Sequence, residues 1–164
     1  MGSGKSTVGK RLAEKLTFGF IDFDMRLEKE SGKTIAEIFD SEGEEKFRLM
    51  EHEQLKKLLD EDNVVIALGG GTPCFYNNIE RINKNGISIY MEVPVDVLVK
   101  RLSKAAHKRP LIRGMNEAEL RSFIAENLER RERIYRSAHH IIKIEKQTIE
   151  EIADEIISLF REKK

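Results

Sequence analysis

The run Asn63-Val64-Val65-Ile66-Ala67-Leu68, closed by Gly69-Gly70-Gly71, constrains the fold more than any other part of this chain. A continuous apolar stretch of that length, without polar alternation, suits a strand buried on both faces, and such strands belong to parallel sheets covered by helices on either side. Helix and strand alternate around it. Val8, Leu12 and Leu16 recur at helical spacing from Lys5 to about Thr17, and Phe18-Gly19-Phe20-Ile21 leads into a short strand. From Met25 helical pieces are expected: one to about Glu30 with a stop at Gly32, a short turn capped by Thr34 and reaching Phe39, and a long helix over about 44–60. A helix near 77–85 is closed by Gly86, and a strand at 87–92 and a helix at about 95–104 follow. After a polar stretch come a long helix to about Ala138, a strand at 140–144 and a last helix at 148–160. The alternation predicts an α/β fold with a parallel sheet between helical layers.

At 164 residues the chain is expected to be a single domain, 1–164, without an internal repeat or linker. Its 29 basic and 29 acidic side chains balance, which argues against nucleic acid as the main partner. No apolar run is long enough to cross a membrane and the N-terminus lacks a signal-peptide pattern, so a cytoplasmic protein is expected. Cys74 is the one cysteine, which excludes an intramolecular disulfide and reads as a small packing residue.

Gly2-Ser3-Gly4-Lys5-Ser6-Thr7, opening a helix, carries the second half of the G-x-x-x-x-G-K-[ST] phosphate-binding pattern. Gly2 and Gly4 let backbone N–H groups approach phosphates, the helix start adds its dipole, Lys5 brings a cation to the outer phosphates, and the Ser6 hydroxyl can ligate Mg²⁺. The plainer alternative is a glycine-rich tail that caps the first helix, though a cap needs only one Ser or Thr. The full pattern also has an earlier glycine and a buried strand leading into it, and neither precedes Gly2. Either the true start lies upstream of Met1, or the sheet folds with a gap at its centre. The first is expected, because unpaired backbone groups inside a sheet are costly to bury, and a chain without that strand should be less stable or inactive.

Phe20-Ile21-Asp22-Phe23-Asp24 is expected to place two carboxylates at the C-terminal end of a strand, turned the same way by the period of two. One can hold the water shell of Mg²⁺ and the other can accept a hydroxyl proton. Capping of the next helix is the alternative. Arg48 has Glu44 four residues before it and Glu51 three after, a spacing that a surface salt bridge explains equally well. The three glycines 69–71 suggest a close approach to the backbone, or merely a tight turn. Arg109-Pro110-Leu111, flanked by Lys108 and Arg113, can form a lid over ATP at roughly 107–116, or a solvated basic loop. Arg130, Arg131 and Arg133, preceding Tyr135, can clamp a carboxylate or form an exposed face.

In order and spacing these segments resemble shikimate kinase along nearly the whole chain. The resemblance implies a three-layer αβα P-loop NTPase fold related to nucleoside monophosphate kinases, here with the first, central strand missing. It implies a transferase that phosphorylates the 3-hydroxyl of shikimate with ATP and Mg²⁺, in aromatic amino acid biosynthesis, and a monomer is expected. By residue, it makes Gly2, Ser3, Gly4, Lys5, Ser6 and Thr7 the ATP phosphate loop, with Ser6 and Asp22 at the metal. Asp24 would bind shikimate and take its proton, and Arg48, Gly70 and Arg131 would complete the acceptor site. Arg109 would be the lid arginine on ATP; Gln147, with Arg101 nearby, would contact the adenine. The family usually has proline two residues before the tyrosine, where this chain has Arg133, so Arg130 is the fallback for Arg131. A kinase of another small acceptor such as gluconate or a nucleoside monophosphate, and a nucleotide-binding protein without turnover, are the alternatives.

Overall fold

A computed structural model describes residues 2–104 and 112–161. Its elements follow the expected order: α1 (Lys5–Leu16), β1 (Gly19–Asp22), α2 (Phe23–Ser31), α3 (Ile35–Leu58), β2 (Val64–Ala67), α4 (Asn78–Asn85), β3 (Ile89–Glu92), α5 (Val95–Ser103), α6 (Glu117–Tyr135), β4 (His140–Lys143) and α7 (Ile149–Arg161), with a 3-10 turn at Thr72–Cys74.

Local chemistry sets most of the boundaries. Thr34 opens α3 with a reciprocal capping box, its hydroxyl accepting from Glu37 N while the Glu37 carboxylate accepts from Thr34 N at 2.7 Å. Asn116 and Glu119 repeat the device at α6. Gly32 ends α2 in the left-handed region at φ 67°. The two helical pieces expected between Thr34 and Asp60 form one element that breaks direction at Gly43, whose φ of 81° and ψ of 171° are not helical.

All strand pairing is parallel, as predicted. Gly19 to Asp22 of β1 lie in register with Val64 to Ala67 of β2, and Ile89 to Glu92 of β3 with His140 to Lys143 of β4. The two pairs form separate sheets. No strand among the described residues lies between β2 and β3. A cavity of about 1260 Å³ runs there instead, lined by Val64 to Leu68 on one side and Ile87 to Met91 on the other. The gap explains one departure from expectation: Val64, Val65 and Ile66 are only half-buried, because burial on both faces of a strand needs a neighbour along each edge.

The buried apolar residues form two clusters. Phe23 and Leu27 of α2, Ile38, Phe47, Leu55 and Leu58 of α3, and Ile82 of α4 pack beside β1 and β2. Residues of α5, α6 and α7, among them Leu102, Ile124 and Ile156, pack with β3 and β4, and α1, through Val8 and Leu12, joins this second core to β2 at Val65. Ile112, inside the expected lid span of 107–116, is fully buried in this second core, so the span is anchored there. Arg109 and the rest of 105–111 lie outside the described residues. No described helix is long and apolar enough to cross a membrane.

Candidate active site

Gly4 is the N-cap of α1, at φ 90°, and its cap makes no side-chain hydrogen bond. Gly4 thus starts the helix as the capping alternative requires, but no Ser or Thr side chain satisfies the first turn, which leaves the Lys5 and Ser6 N–H groups available to a ligand. Gly2, at φ 74°, packs so closely on α5 that a Cβ there would sit 2.9 Å from Leu102 Cγ. Arg101 donates to the Ser3 carbonyl at 3.2 Å, which braces the loop from behind. Lys5 lines the cavity together with Ser3 and Asp24. Thr7 is exposed on the first turn.

Asp22 joins the two readings offered for it. One oxygen accepts from Ser6 Oγ at 2.5 Å and the other caps α2 by accepting from Met25 N at 3.4 Å. Because this cap starts α2 at Phe23, Asp24 stands in the first helical turn and not on the strand, so the period-of-two argument for its direction is incorrect. Asp24 reaches the site from the helix. Its carboxyl is pushed above the ordinary aspartate range, first by burial, with Lys5 opposing and the neighbouring Asp22 and Glu28 adding to the rise.

Burial also changes the picture of Arg48. Its guanidinium is 10% exposed, donates to Glu51 at 2.7 Å and to Glu44 at 2.9 Å, and lies 4.5 Å from the centre of the Phe75 ring. A surface salt bridge is excluded. Glu51 is buried and accepts also from Thr72 Oγ1 at 2.6 Å; burial raises its carboxyl, and the bonds from Thr72 and Arg48 oppose the rise.

The glycine turn is shaped by these side chains. A Cβ on Gly69 would lie 2.6 Å from Asp24 Oδ1, and one on Gly71 would overlap the Arg48 guanidinium. Close approach, not merely a tight turn, accounts for Gly69 and Gly71, and what approaches is the chain itself. We expect Gly69→Ala to displace Asp24 and lower turnover about tenfold with the fold retained, since small misplacements are costly in catalysis; an unchanged rate in a steady-state assay would show that Asp24 is not held by this contact.

Arg131 is half-buried and lines the same cavity, whereas Arg130 and Arg133 are exposed. The choice among the three therefore falls on Arg131. Gln147 is not brought to the site: its amide donates to the Lys143 carbonyl at 2.9 Å and accepts from Glu145 N at 2.7 Å, folding the side chain onto its own loop. Cys74 is half-buried beside the Gly70 carbonyl, and burial raises its thiol, as befits a packing residue.

Sequence reasoning missed several members. Asn78 is fully buried, donates to the Thr72 carbonyl at 2.7 Å and contacts His52 Nδ1 at 2.7 Å. Thr72, next to the glycines, carried a positional signal; Asn78 carried none.

A Gly-Lys-Ser helix start beside a half-buried carboxylate in a parallel α/β fold is the arrangement of a P-loop phosphotransferase. The family model described as "SKI: Shikimate kinase" matches residues 1–161. A shikimate kinase of Azobacteroides pseudotrichonymphae is 40% identical over 158 residues, covering 96% of this chain and 93% of that protein. The crystal structure of shikimate kinase from Bacteroides thetaiotaomicron superposes with a TM-score of 0.93 at 38% identity, covering 98% of this chain and 94% of that one. The shikimate kinase of Acinetobacter baumannii, solved in complex with shikimate, gives 0.91 at 34% identity and covers 100% of this chain and 90% of that one. The chain belongs to the shikimate kinase family, whose members are ATP-dependent kinases.

Proposed function

We propose that this protein transfers the terminal phosphoryl group of ATP to the 3-hydroxyl of shikimate, forming shikimate 3-phosphate and ADP on the route to aromatic amino acids. The observation that carries the reading is a half-buried carboxylate, Asp24, beside the Lys5 phosphate cradle in a cavity that Arg48 and Arg131 also line. Phosphoryl transfer needs little covalent help from the protein, so positioning and charge do most of the catalysis. Gly2 to Thr7 hold the phosphates, Lys5 offsets the charge that develops on the transferred group, and Asp24 accepts the proton leaving the acceptor hydroxyl.

Arg48 and Arg131 pair with the acceptor's carboxylate and the Gly70 N–H orients it. Arg109, assigned from its Arg109-Pro110-Leu111 motif, is the lid arginine on ATP. The proposed role of Gln147 near the adenine requires it to leave the local bonds described above.

The site suits Mg²⁺, which neutralises phosphate charge when bound. Ser6 Oγ and Asp22 Oδ2 stand 2.5 Å apart, a hydroxyl and a carboxylate oxygen, and no cluster of three metal-ligating His, Cys, Asp or Glu occurs among the described residues. So sparse a set of hard oxygen donors fits an ion held mainly by water and substrate phosphates. A single-domain, monomeric, cytoplasmic enzyme is the form we propose.

ADP release measured with ATP, Mg²⁺ and a panel of shikimate, gluconate and nucleoside monophosphates tests the assignment. Turnover with shikimate alone is expected; turnover with another acceptor, or nucleotide binding with no turnover, contradicts it.

A further inference from the structure

Tyr135 is the last residue of α6 and stands four residues after Arg131, on the same helix face. Its hydroxyl donates to the Gly70 carbonyl at 2.5 Å, across 65 residues of sequence. Its ring packs on Tyr90 of β3, with centroids 5.0 Å apart and planes tilted by 36°. The Arg131 guanidinium lies beside the phenol and opposes the rise that burial imposes on its pKa.

The Gly70 carbonyl belongs to the peptide that continues into Gly71, and Gly71 packs directly on the Arg48 guanidinium. One hydrogen bond thus fastens the turn that seats Arg48 to the helix that carries Arg131. The two arginines come from α3 and α6 and make no direct bond to each other among the described hydrogen bonds, so their separation depends on what joins those elements. Tyr135 is the polar link between them through the glycine turn.

We propose that Tyr135 is a positioning residue that sets the spacing of Arg48 and Arg131, so that the pair forms one clamp matched to the carboxylate of the acceptor. This rests on the assignment of both arginines to the acceptor's carboxylate. Tyr135 touches neither phosphate loop nor Asp24 in that scheme, so its influence falls on the acid and not on the nucleotide.

Tyr135→Phe keeps the ring on Tyr90 and removes only the hydroxyl. The KM for shikimate is expected to rise about tenfold, in the range for losing one part-buried hydrogen bond, while the KM for ATP stays within about twofold. A merely structural tyrosine would lower the active fraction, and hence the apparent kcat, without splitting the two constants. In an Arg131→Ala background the same change should add less than about twofold, because the clamp is already broken. Equal changes in both KM values, no change, or full additivity with Arg131→Ala would overturn the proposal.

A ligand-free measurement separates this from the choice of substrate. In Tyr135→Phe the carbonyl ¹³C resonance of Gly70 and the amide of Gly71 should shift, and the Gly71 amide should exchange faster. If the wild-type protein does not act on shikimate, the functional assignment fails whatever these signals do. If they are unmoved, Tyr135 does not hold the turn and the positioning role fails whatever the substrate.

Discussion

Asp24→Asn is expected to lower turnover about a hundredfold or more, leave ATP affinity nearly unchanged, and raise the melting temperature at pH 7. The first two effects follow from removing a proton acceptor that does not belong to the phosphate cradle. The third follows from linkage. Burial and the nearby Asp22 and Glu28 hold the Asp24 carboxyl above its ordinary range, so the folded state binds this proton more tightly than the unfolded state. The carboxylate therefore costs stability as pH rises from the unfolded pKa through the raised folded one, and the full cost is present above both. Asparagine carries no charge and avoids it. The stability gain should shrink as the pH falls below both values. A variant that is both less active and less stable at pH 7 would place Asp24 among the structural groups.

Arg48→Ala should be the most destabilising of the substitutions considered. It leaves Glu51, 2% exposed, with a buried carboxylate whose remaining partner is Thr72. Removing one member of a buried ion pair costs about 3 to 5 kcal/mol, which corresponds to a fall in melting temperature on the order of 10 °C for a chain of this size. The aromatic contact with Phe75 is lost as well. Adding Glu51→Gln should recover part of the loss, because a neutral amide does not need the guanidinium. In the surviving enzyme the KM for shikimate should rise far more than the KM for ATP, by the equivalent of roughly 1.5 to 3 kcal/mol for a charge-assisted hydrogen bond. Thermal melts of the single and double variants, with steady-state kinetics, check both parts; a melt within a degree or two of the parent, or equal changes in the two KM values, would be contrary results.

The fold was legible wherever the signal was local. The Thr34 cap, the Gly32 stop, and the parallel pairing implied by the apolar 63–68 run all appear as anticipated. What depended on a distant neighbour was less legible. Half-burial of Val65 reflects the lane between the two sheets, which no property of residues 63–68 encodes. The direction of Asp24 turned on a single hydrogen bond from Met25 N to Asp22, which converts the end of a strand into the start of a helix two residues early. For Arg48, a spacing of three and four to its glutamates is the same on a wet or a dry face, and only the packing of Phe75 and Thr72 decides between them. The reach of Tyr135 to Gly70 spans 65 residues and had no local trace beyond its spacing from Arg131.

A half-buried proton acceptor beside a cationic phosphate cradle should be visible in the pH dependence of kcat/KM for shikimate. We expect an acid limb with an apparent pKa above the value near 3.9 of a free aspartate, at pH values where the protein remains folded, and the limb should vanish in Asp24→Asn. A profile that is flat down to the acid unfolding transition, or a limb that persists unchanged in the variant, would contradict the role given to Asp24.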